Sequence, residues 1–397
     1  MKLSATNLDF SNLLQLSGIV KGANSDIQLE NLDSYLYYKK NIFSFFIKGN
    51  IMTAAITIPA TIDSEFEECA LMIYSENLVH LISTYTEEQR KSLVMTIEIT
   101  DKGSLFEFIC GKDKIDFVHL VPKKNEIEEI GILMKGLEIT VSGAILLDSH
   151  RLNGGREYFF DGLNNCLSFI EDDVRNNAIA IYQDQLIAND NRHIYMYGLI
   201  DPLPITAPPL SLHKKVAKTI LNLNAKKGKM EFFIIEKQVY IYDEKYGFKA
   251  KLNNSMSNIT PPTTEDLIRL APTESVFSYS KKELQELLNF FIGFYTNKVS
   301  YKTLWLETLP TGIKFTLKNS GVVGYNSSHV ERTVDLTINK EYSNVSSVVL
   351  ITSMIDFIHN LDASDIIDFY MDNEHRAVIL RCNRQEIYLP KLGEINV

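Results

Sequence analysis

Lysines form the densest group of chemically active side chains in this sequence. Lys214, Lys215 and Lys218 lie on one predicted helix, and Lys226 follows it. Clustered ammonium groups at helix surfaces bind phosphate backbones without reading bases. A single lysine of this kind is equally consistent with an ordinary solvated helix position. Further basic residues near the ends of predicted helices are Lys21, Lys91, Arg151, Arg156, Lys281 and Lys282.

Side chains that could catalyse a reaction are dispersed along the chain. The sequence lacks the glycine-rich phosphate-binding motifs and the His-Glu-x-x-His zinc motif. Asp190 and His193 could form an acid–base pair, but no nucleophile lies near them in the sequence. The aspartates at 172–173 and at 362 and 365 fall in predicted turns, where this side chain makes local hydrogen bonds. We therefore expect a protein that is not an enzyme and needs no metal or cofactor.

Composition limits the class of protein. The 397 residues are 45% hydrophobic, enough for the cores of two or three domains. No apolar run approaches the roughly 18 residues of a membrane span, and the first residues lack the apolar core of a signal peptide. The cysteines are isolated, without zinc or redox spacing. These features predict a cytoplasmic protein without membrane contact. A net charge of −10 argues against a uniformly basic surface but allows basic residues to be segregated on one face.

A long-period repeat divides the chain into thirds. Each copy has an amphipathic helix followed by three short strands, at residues 75–120, 211–252 and 347–392. The predicted strands are 93–100, 105–110 and 115–120 in the first copy, 230–235, 238–242 and 247–252 in the second, and 366–371, 377–382 and 386–389 in the third. An alternative is that three unrelated α+β domains align by chance.

Another helix with strands precedes each copy. The predicted helices lie near residues 8–16, near 138–147 and after Ser280, which forms a capping-box pattern with Glu283. The predicted strands are 42–47 and 52–58, then 163–170, 178–182 and 193–197, then 303–308 and 313–317. This order indicates an α+β fold. Polar joins at 122–128 and 253–264 predict domains at 1–125, 126–255 and 256–397.

Four segments in this order resemble the bacterial-type DNA polymerase III beta sliding clamps, including phage versions. They are residues 14–22, 158–162, 187–194 and 387–392. The segment 158–162 is similar to an aromatic strand of the family's second domain. The segment 187–194 is similar to its Ala-Thr-Asp-Gly-His-Arg-Leu segment, and 387–392 to its carboxyl-terminal tail.

The resemblance implies a function. Such clamps have three repeated domains, each with two helices packed on antiparallel sheets, and two chains join head to tail in a ring around duplex DNA. The ring is a processivity factor that tethers DNA polymerase, and the clamp loader binds through a similar short peptide motif. The lysines and arginines above would then face the DNA. A viral scaffold protein of repeated α+β domains and a hydrolase with dispersed catalytic residues remain alternatives.

The resemblance also implies a pocket for partner peptides between the second and third domains. Asn191 and His193 depart from the family pattern, as does Lys391, and residues 393–397 extend past the family's usual end. His193 could instead be an ordinary surface histidine, and residues 387–389 an ordinary buried strand. The matching positions are Phe160, Asn189, Asn191, His193, Ile194, Pro261, Ile387, Tyr388, Leu389, Pro390, Lys391 and Leu392.

By the same resemblance, the interface of the homodimer would join the first domain of one chain to the third domain of the other. Ile115 and Phe117 would face Phe291 and Phe294 of the partner chain. The aromatic density around residue 291 is equally consistent with a domain core.

Overall fold

The computed structural model describes residues 2–6, 33–72, 75–90, 94–100, 103–110, 112–119, 124–138, 145–146, 156–170, 177–189, 193–199, 202–203, 210–224, 231–235, 238–243, 247–254, 274–294, 302–318 and 329–392. The chain divides into two compact units. The first unit contains Met1–Arg151 and Lys215–Met256, and the second contains Leu152–Lys214 and Ser257–Val397.

Helices alternate with groups of short strands along the chain. The helices are α1 (Ser75–Thr84), α2 (Glu87–Arg90), α3 (Lys124–Lys135), α4 (Arg156–Ser168), α5 (Lys214–Asn224), α6 (Lys281–Ile292) and α7 (Ile351–His359). The strands are β1 (Lys2–Thr6), β2 (Asp33–Lys39), β3 (Ile42–Lys48), β4 (Met52–Thr57), β5 (Thr61–Ser64), β6 (Glu68–Met72), β7 (Val94–Thr100), β8 (Gly103–Cys110), β9 (Asp113–His119), β10 (Ile145–Leu146), β11 (Ala178–Ile181), β12 (Gln185–Asn189), β13 (Ile194–Gly198), β14 (Leu210–His213), β15 (Glu231–Ile235), β16 (Gln238–Asp243), β17 (Phe248–Leu252), β18 (Phe277–Ser280), β19 (Thr303–Leu309), β20 (Gly312–Lys318), β21 (His329–Asp335), β22 (Ser346–Leu350), β23 (Ile366–Tyr370), β24 (Ala377–Cys382) and β25 (Gln385–Pro390).

The first unit contains two antiparallel sheets. Sheet A has the order β5-β1-β7-β8-β9, and sheet B has the order β10-β15-β16-β17-β4-β3-β2-β6. The β2–β3 hairpin turns through Lys40 and Asn41, both with positive φ, as tight two-residue hairpins require. One face of sheet B is fully buried, with Phe43 and Phe45 among its side chains. Sheet B therefore forms the core of this unit.

The second unit repeats this plan. Sheet C has the order β14-β11-β12-β13-β25-β24-β23-β18, and sheet D has the order β21-β20-β19-β22. Sheet C read in this direction matches sheet B read in reverse, strand for strand. In both sheets, two groups of strands meet at one central antiparallel pair, β17 with β4 and β13 with β25. Sheets B and C are therefore topologically equivalent.

Capping and packing fix the helices of the second unit. The Ser280 side chain accepts a hydrogen bond from the Glu283 backbone N–H and donates one to its carboxylate, at 3.3 and 2.6 Å. This confirms the predicted capping box. Helix α4 packs on β11, β12 and β13, where Gly162 lies against the Tyr197 ring. The Phe357 ring of α7 contacts Tyr195 on the same side of sheet C, with ring centroids 6.4 Å apart.

The predicted fold class is confirmed. Helices pack on antiparallel sheets, and the strands of the third copy lie where the sequence predicts them. The domain boundaries after residues 125 and 255 stay a prediction. The two compact units divide the chain differently, because the middle third contributes β11–β13 to sheet C and β15–β17 to sheet B.

Two predictions around residue 160 are wrong. The strand predicted at 163–170 and the family-like strand at 158–162 both fall largely on α4. Phe159, Leu163 and Cys166 recur at helical spacing and are all buried, so they form the stripe that holds the helix to the sheet. Aromatic residues beside Gly162 favour a strand locally, but the helical period of the buried stripe prevails.

The helix predicted near residues 138–147 is also misplaced. The helix that the structure has in this part of the chain is α3, which ends at Lys135, and residues 145–146 form β10. Ile127, Ile130 and Met134 have helical spacing and carry its inner face. The helix predicted near residues 8–16 lies outside the described residues.

Candidate functional site

Helix α5 presents a basic surface. Val216, Ile220 and Leu223 are buried, whereas Lys215 and Lys218 are exposed one turn apart. The helix contains no acidic residue. Its inner stripe therefore attaches it to the core, while its outer stripe carries positive charge without an acidic neighbour on the same helix.

Two of the predicted DNA-facing lysines donate hydrogen bonds to the ends of neighbouring helices. The Lys214 Nζ donates to the carbonyl of Ile170, just past the end of α4, at 2.8 Å. The Lys281 Nζ donates to the carbonyl of Leu361, just past the end of α7. A cation at a helix carboxyl terminus satisfies a free carbonyl and opposes the helix dipole. Lys214 and Lys281 thus stabilise helix ends, and the exposed basic residues of these two helices are Lys215, Lys218 and Lys282.

The other predicted basic residues cannot be placed as side chains. Arg156 begins α4, but its side chain lies outside the part of the chain that the structure describes. The predicted residues outside the described ranges are Lys21, Lys91, Arg151 and Lys226.

The outer face of sheet C, opposite α4 and α7, carries an apolar cluster. Ile194 of β13 pairs with Asn189 of β12 and with Tyr388 of β25, so all three side chains point to this face. Along each strand, residues that face the helices alternate with residues of this face, and on β11 and β24 most residues of both sets are buried. The cluster consists of Ala180, Ile187, Tyr370, Ile379 and Tyr388, with Tyr182, Ile194 and Met196 partly buried against it.

Polar groups border this cluster on one side. Arg381 Nε donates to the Glu386 carboxylate at 2.7 Å, and its guanidinium lies 4.7 Å from the Tyr370 ring centroid. The Tyr388 hydroxyl donates to the other Glu386 oxygen at 3.1 Å. Burial and the Glu386 carboxylate raise the pKa of Tyr388, so this hydroxyl keeps its proton at neutral pH. The result is a buried apolar cluster whose margin combines partly buried apolar residues with a fixed polar edge, the combination that peptide grooves use.

Several predicted pocket residues face the opposite side of the sheet. Ile387 and Leu389 are buried on the helix side, and Phe160 is buried within α4. His193 is also interior, with Nδ1 3.1 Å from the Ser353 hydroxyl and its ring against Phe169. These four predicted residues therefore support the core and do not line the outer face.

The tail of the predicted pocket is fixed by backbone contacts. Pro390 is exposed, and the Lys391 Nζ donates to the carbonyl of Asp372. The Leu392 N–H donates to the Val348 carbonyl at 2.9 Å. Asn191 and Pro261 lie outside the described residues.

Aromatic residues at the end of α6 divide between core and surface. Phe291, predicted at the dimer interface, is fully buried and contributes to the core. Phe290 and Phe294 are 40% and 44% exposed, and their ring centroids are 5.1 Å apart. The sequence predicts an interface at this segment, but only the packing of the helix shows which of its aromatic residues face outward. The side chains of Ile115 and Phe117, in β9, lie outside what the structure describes.

The described residues show no cluster of three or more histidine, cysteine or acidic side chains that could hold a metal. The Asp365 carboxylate accepts a hydrogen bond from the Asp362 N–H at 2.7 Å, as expected of a turn. Across the same ranges, no helix is long and apolar enough to cross a membrane.

No protein-family model and no curated protein sequence matches this chain. Solved structures do match it over nearly its whole length. The polymerase III beta protein of Caulobacter crescentus has a TM-score of 0.68 and 10% identity, covering 99% of this chain and 100% of its own. The DNA polymerase sliding clamp of Pseudomonas aeruginosa has a TM-score of 0.67 and 11% identity, covering 98% and 99%.

A third similar structure is the sliding clamp of Bartonella birtlesii bound to griselimycin. Its TM-score is 0.63 at 10% identity, with 99% of each chain covered. The likeness extends over nearly the whole chain, although only about one residue in ten is identical. This chain therefore has the fold of the bacterial DNA polymerase III beta sliding clamps.

Proposed function

We propose that this protein is a sliding clamp, a non-enzymatic ring that encircles duplex DNA and tethers the replicative DNA polymerase. The observation that carries the proposal is the full-length structural likeness to bacterial clamps. A clamp acts by topology, because a closed ring cannot leave DNA sideways but can move along it. Such a protein needs neither a catalytic group nor a cofactor, and it would work beside the replicating chromosome in the cytoplasm.

Sheets A and D support a head-to-tail homodimer. Strand β9 is the third strand after helix α1, as β17 is after α5 and β25 is after α7. Strand β21 is fourth in sheet D counted from β22, as β4 is fourth in sheet B counted from β6 and β13 is fourth in sheet C counted from β14. Strands β17 and β4 form the central pair of sheet B, and β25 and β13 form that of sheet C, whereas β9 and β21 end their sheets among the described strands. Pairing β9 of one chain with β21 of another would give the order β22-β19-β20-β21-β9-β8-β7-β1, with β5 as a ninth strand beyond β1. This order repeats the eight-strand pattern of sheets B and C.

The lysines of α5 suit a surface that slides on DNA. Lys215 and Lys218 are exposed on a helix without acidic residues, so they can bind phosphates through charge alone. Contacts of this kind position a protein on the duplex without selecting a sequence. The net charge of −10 then resides mainly on other surfaces.

The outer face of sheet C would receive the partner peptides. Ile194, Met196 and Tyr182 are partly buried and offer apolar contacts, and Arg381 with Glu386 provides a polar edge. Short peptide motifs of the polymerase and the clamp loader would bind there in turn.

The ring is tested first by solution mass and shape. Light scattering should give about twice the chain mass of 45.3 kDa, and negative-stain images should show closed rings. A monomer at every accessible concentration would contradict the ring, and an open filament or closed shell would favour a scaffold protein.

A further inference from the structure

We propose that the outer face of sheet B is a second docking groove, which α3 occupies in cis and which accepts an amphipathic helix of a partner protein when α3 leaves. The comparison with sheet C rests on the proposed partner groove there. The evidence on sheet B itself comes from the contacts of α3.

The apolar side of helix α3 packs on the outer face of sheet B. Ile130 packs on Tyr37 of β2 and Ala70 of β6. Leu137, just past the helix end, packs on Phe46 of β3 and Ala55 of β4. Ile127 and Met134 complete the contact. The inner positions thus recur at spacings of three, four and three, the pattern of an amphipathic helix in a groove.

A polar anchor lies beneath the middle of this helix. The Glu68 carboxylate accepts hydrogen bonds from the Tyr37 hydroxyl and from Lys39 Nζ, the latter at 3.0 Å. Gly131 lies directly above this pair. A Cβ added to it would be 3.1 Å from the Glu68 carboxylate and 3.3 Å from the Tyr37 hydroxyl. A larger residue at this position of an occupying helix would displace the Glu68 and Tyr37 side chains, so a small residue fits best.

The occupied face is the equivalent of the partner groove on sheet C. Strands β6, β2, β3 and β4 correspond in order to β14, β11, β12 and β13. Ala55 pairs with Lys249, so it faces away from the fully buried side of sheet B, as Ile194 does in sheet C. The fold thus presents the same sheet surface twice, and on sheet B a segment of the chain itself covers it.

The attachment of α3 is slight for a helix of 12 residues. Between residues 126 and 138, only Ile130 and Leu137 are buried. Ile132 is 71% exposed on the outer side, where it contributes nothing to the contact with the sheet. Segments with few buried apolar side chains open locally at lower free energy than the core. Helix α3 is therefore suited to exchange with a partner helix of the same pattern.

The test uses the full chain and a fluorescent synthetic peptide of residues 124–138 as the probe. Ile130→Asp should weaken the inner contact of α3 and leave the groove open, whereas Ile132→Asp makes the same change on the exposed side. Fluorescence anisotropy should show the peptide binding Ile130→Asp at least tenfold more tightly than either the wild type or Ile132→Asp. A peptide carrying Gly131→Leu should lose at least tenfold in affinity for Ile130→Asp.

Equal binding to all three proteins would overturn the proposal, and so would a folded Ile130→Asp chain that does not bind the peptide. If Ile130→Asp does not fold, hydrogen exchange of the wild type decides. Amides of α3 exchanging at least 100-fold faster than those of β3 would support exchange of the helix, and equal protection would overturn it. Because no DNA is present, these outcomes are independent of whether the chain forms a ring on DNA.

Discussion

At the residue scale, neighbouring lysines have opposite roles. Lys214 and Lys281 bind helix ends, while Lys215, Lys218 and Lys282 remain exposed. The sequence places these residues together but cannot distinguish them, because the carbonyl that each structural lysine binds comes from a distant helix.

Replacing both exposed lysines of α5 should weaken DNA binding without affecting the fold. For Lys215→Ala with Lys218→Ala, the slope of log affinity against log salt on a short duplex should fall by about 2 for each chain, and so by about 4 for a dimeric ring, because each chain loses two phosphate contacts. Fluorescence anisotropy measures this slope when the salt concentration is varied between about 50 and 200 mM. The control is Lys249→Ala with Lys251→Ala, on β17. An equal change in the control would show that α5 has no special role.

Replacing Lys281 should destabilise the protein instead. Lys281→Met leaves the Leu361 carbonyl without its charged donor, so the free energy of unfolding should fall by about 1–3 kcal/mol. Lys282→Met, at the next and exposed position, should stay within about 0.5 kcal/mol of the wild type. Urea unfolding compares the two, and equal losses would contradict the helix-end role.

His213 should make stability depend on pH. Burial lowers the pKa of His213 below its ordinary 6.5, so the unfolded chain binds a proton more readily than the folded one. The stability contributed by neutral His213 is therefore present above pH 6.5 and is lost as the pH falls through the lower folded-state pKa.

His213→Gln should accordingly lose less stability than the wild type between pH 7 and pH 5, about the range in which histidine titrates. Urea unfolding at both values measures the difference. The titration of Asp372 does not affect this comparison between pH 7 and pH 5. Although burial opposes it, hydrogen bonds from His375 and Glu374 lower the pKa of Asp372, so its contribution is lost only in more acidic solution. Parallel pH profiles of variant and wild type would contradict the role of His213.

At the element scale, the sequence predicts strongly periodic segments well. Helix α7 and strands β23–β25 lie where their apolar periods and turn residues place them. Helix α4 is missed because its aromatic residues favour strands, although Phe159, Leu163 and Cys166 carry a helical period that could have revealed it.

Which residues of β25 face away from the helices could not be predicted from the sequence. Ile387, Tyr388 and Leu389 are consecutive apolar residues in a central strand of sheet C. Only alternate residues reach the outer face, and a continuous apolar run does not show which ones. The observed pairing shows that Tyr388 shares a face of the sheet with Ile194.

A substitution at Gly162 tests how closely α4 packs on sheet C. An added Cβ would lie 2.5 Å from Cδ1 of Tyr197, so Gly162→Ala should lower the free energy of unfolding by about 1–3 kcal/mol. Gly198→Ala is the control, because its Cβ would meet nothing closer than 3.5 Å. Chemical denaturation of both variants measures the effect. A neutral Gly162→Ala would mean that α4 lies farther from the strand.

At the scale of the whole molecule, the proposed ring would close through β9 and β21, which end their sheets among the described strands, and through an exposed aromatic pair. Phe290 and Phe294 lie at the end of α6, in the domain that the clamp resemblance assigns to the ring interface. Large aromatic side chains commonly dominate interface energetics.

Phe294→Asp should therefore dissociate the dimer. Loss of one aromatic contact of this size should weaken dimerisation about 30-fold or more. Sedimentation velocity over a concentration series measures the dissociation constant. Asn289→Asp, exposed on the same helix, should leave it unchanged. An unaltered dimer in Phe294→Asp would place the interface elsewhere.

A protein that encircles DNA should be retained on circular duplex but not on linear duplex. Dimers dissociated by dilution would be reconcentrated with nicked circular duplex, and free protein removed by gel filtration. We expect the protein to stay with the circle through a high-salt wash and to be released when a restriction enzyme linearises the DNA. Protein that leaves circular and linear DNA at the same rate would contradict the clamp.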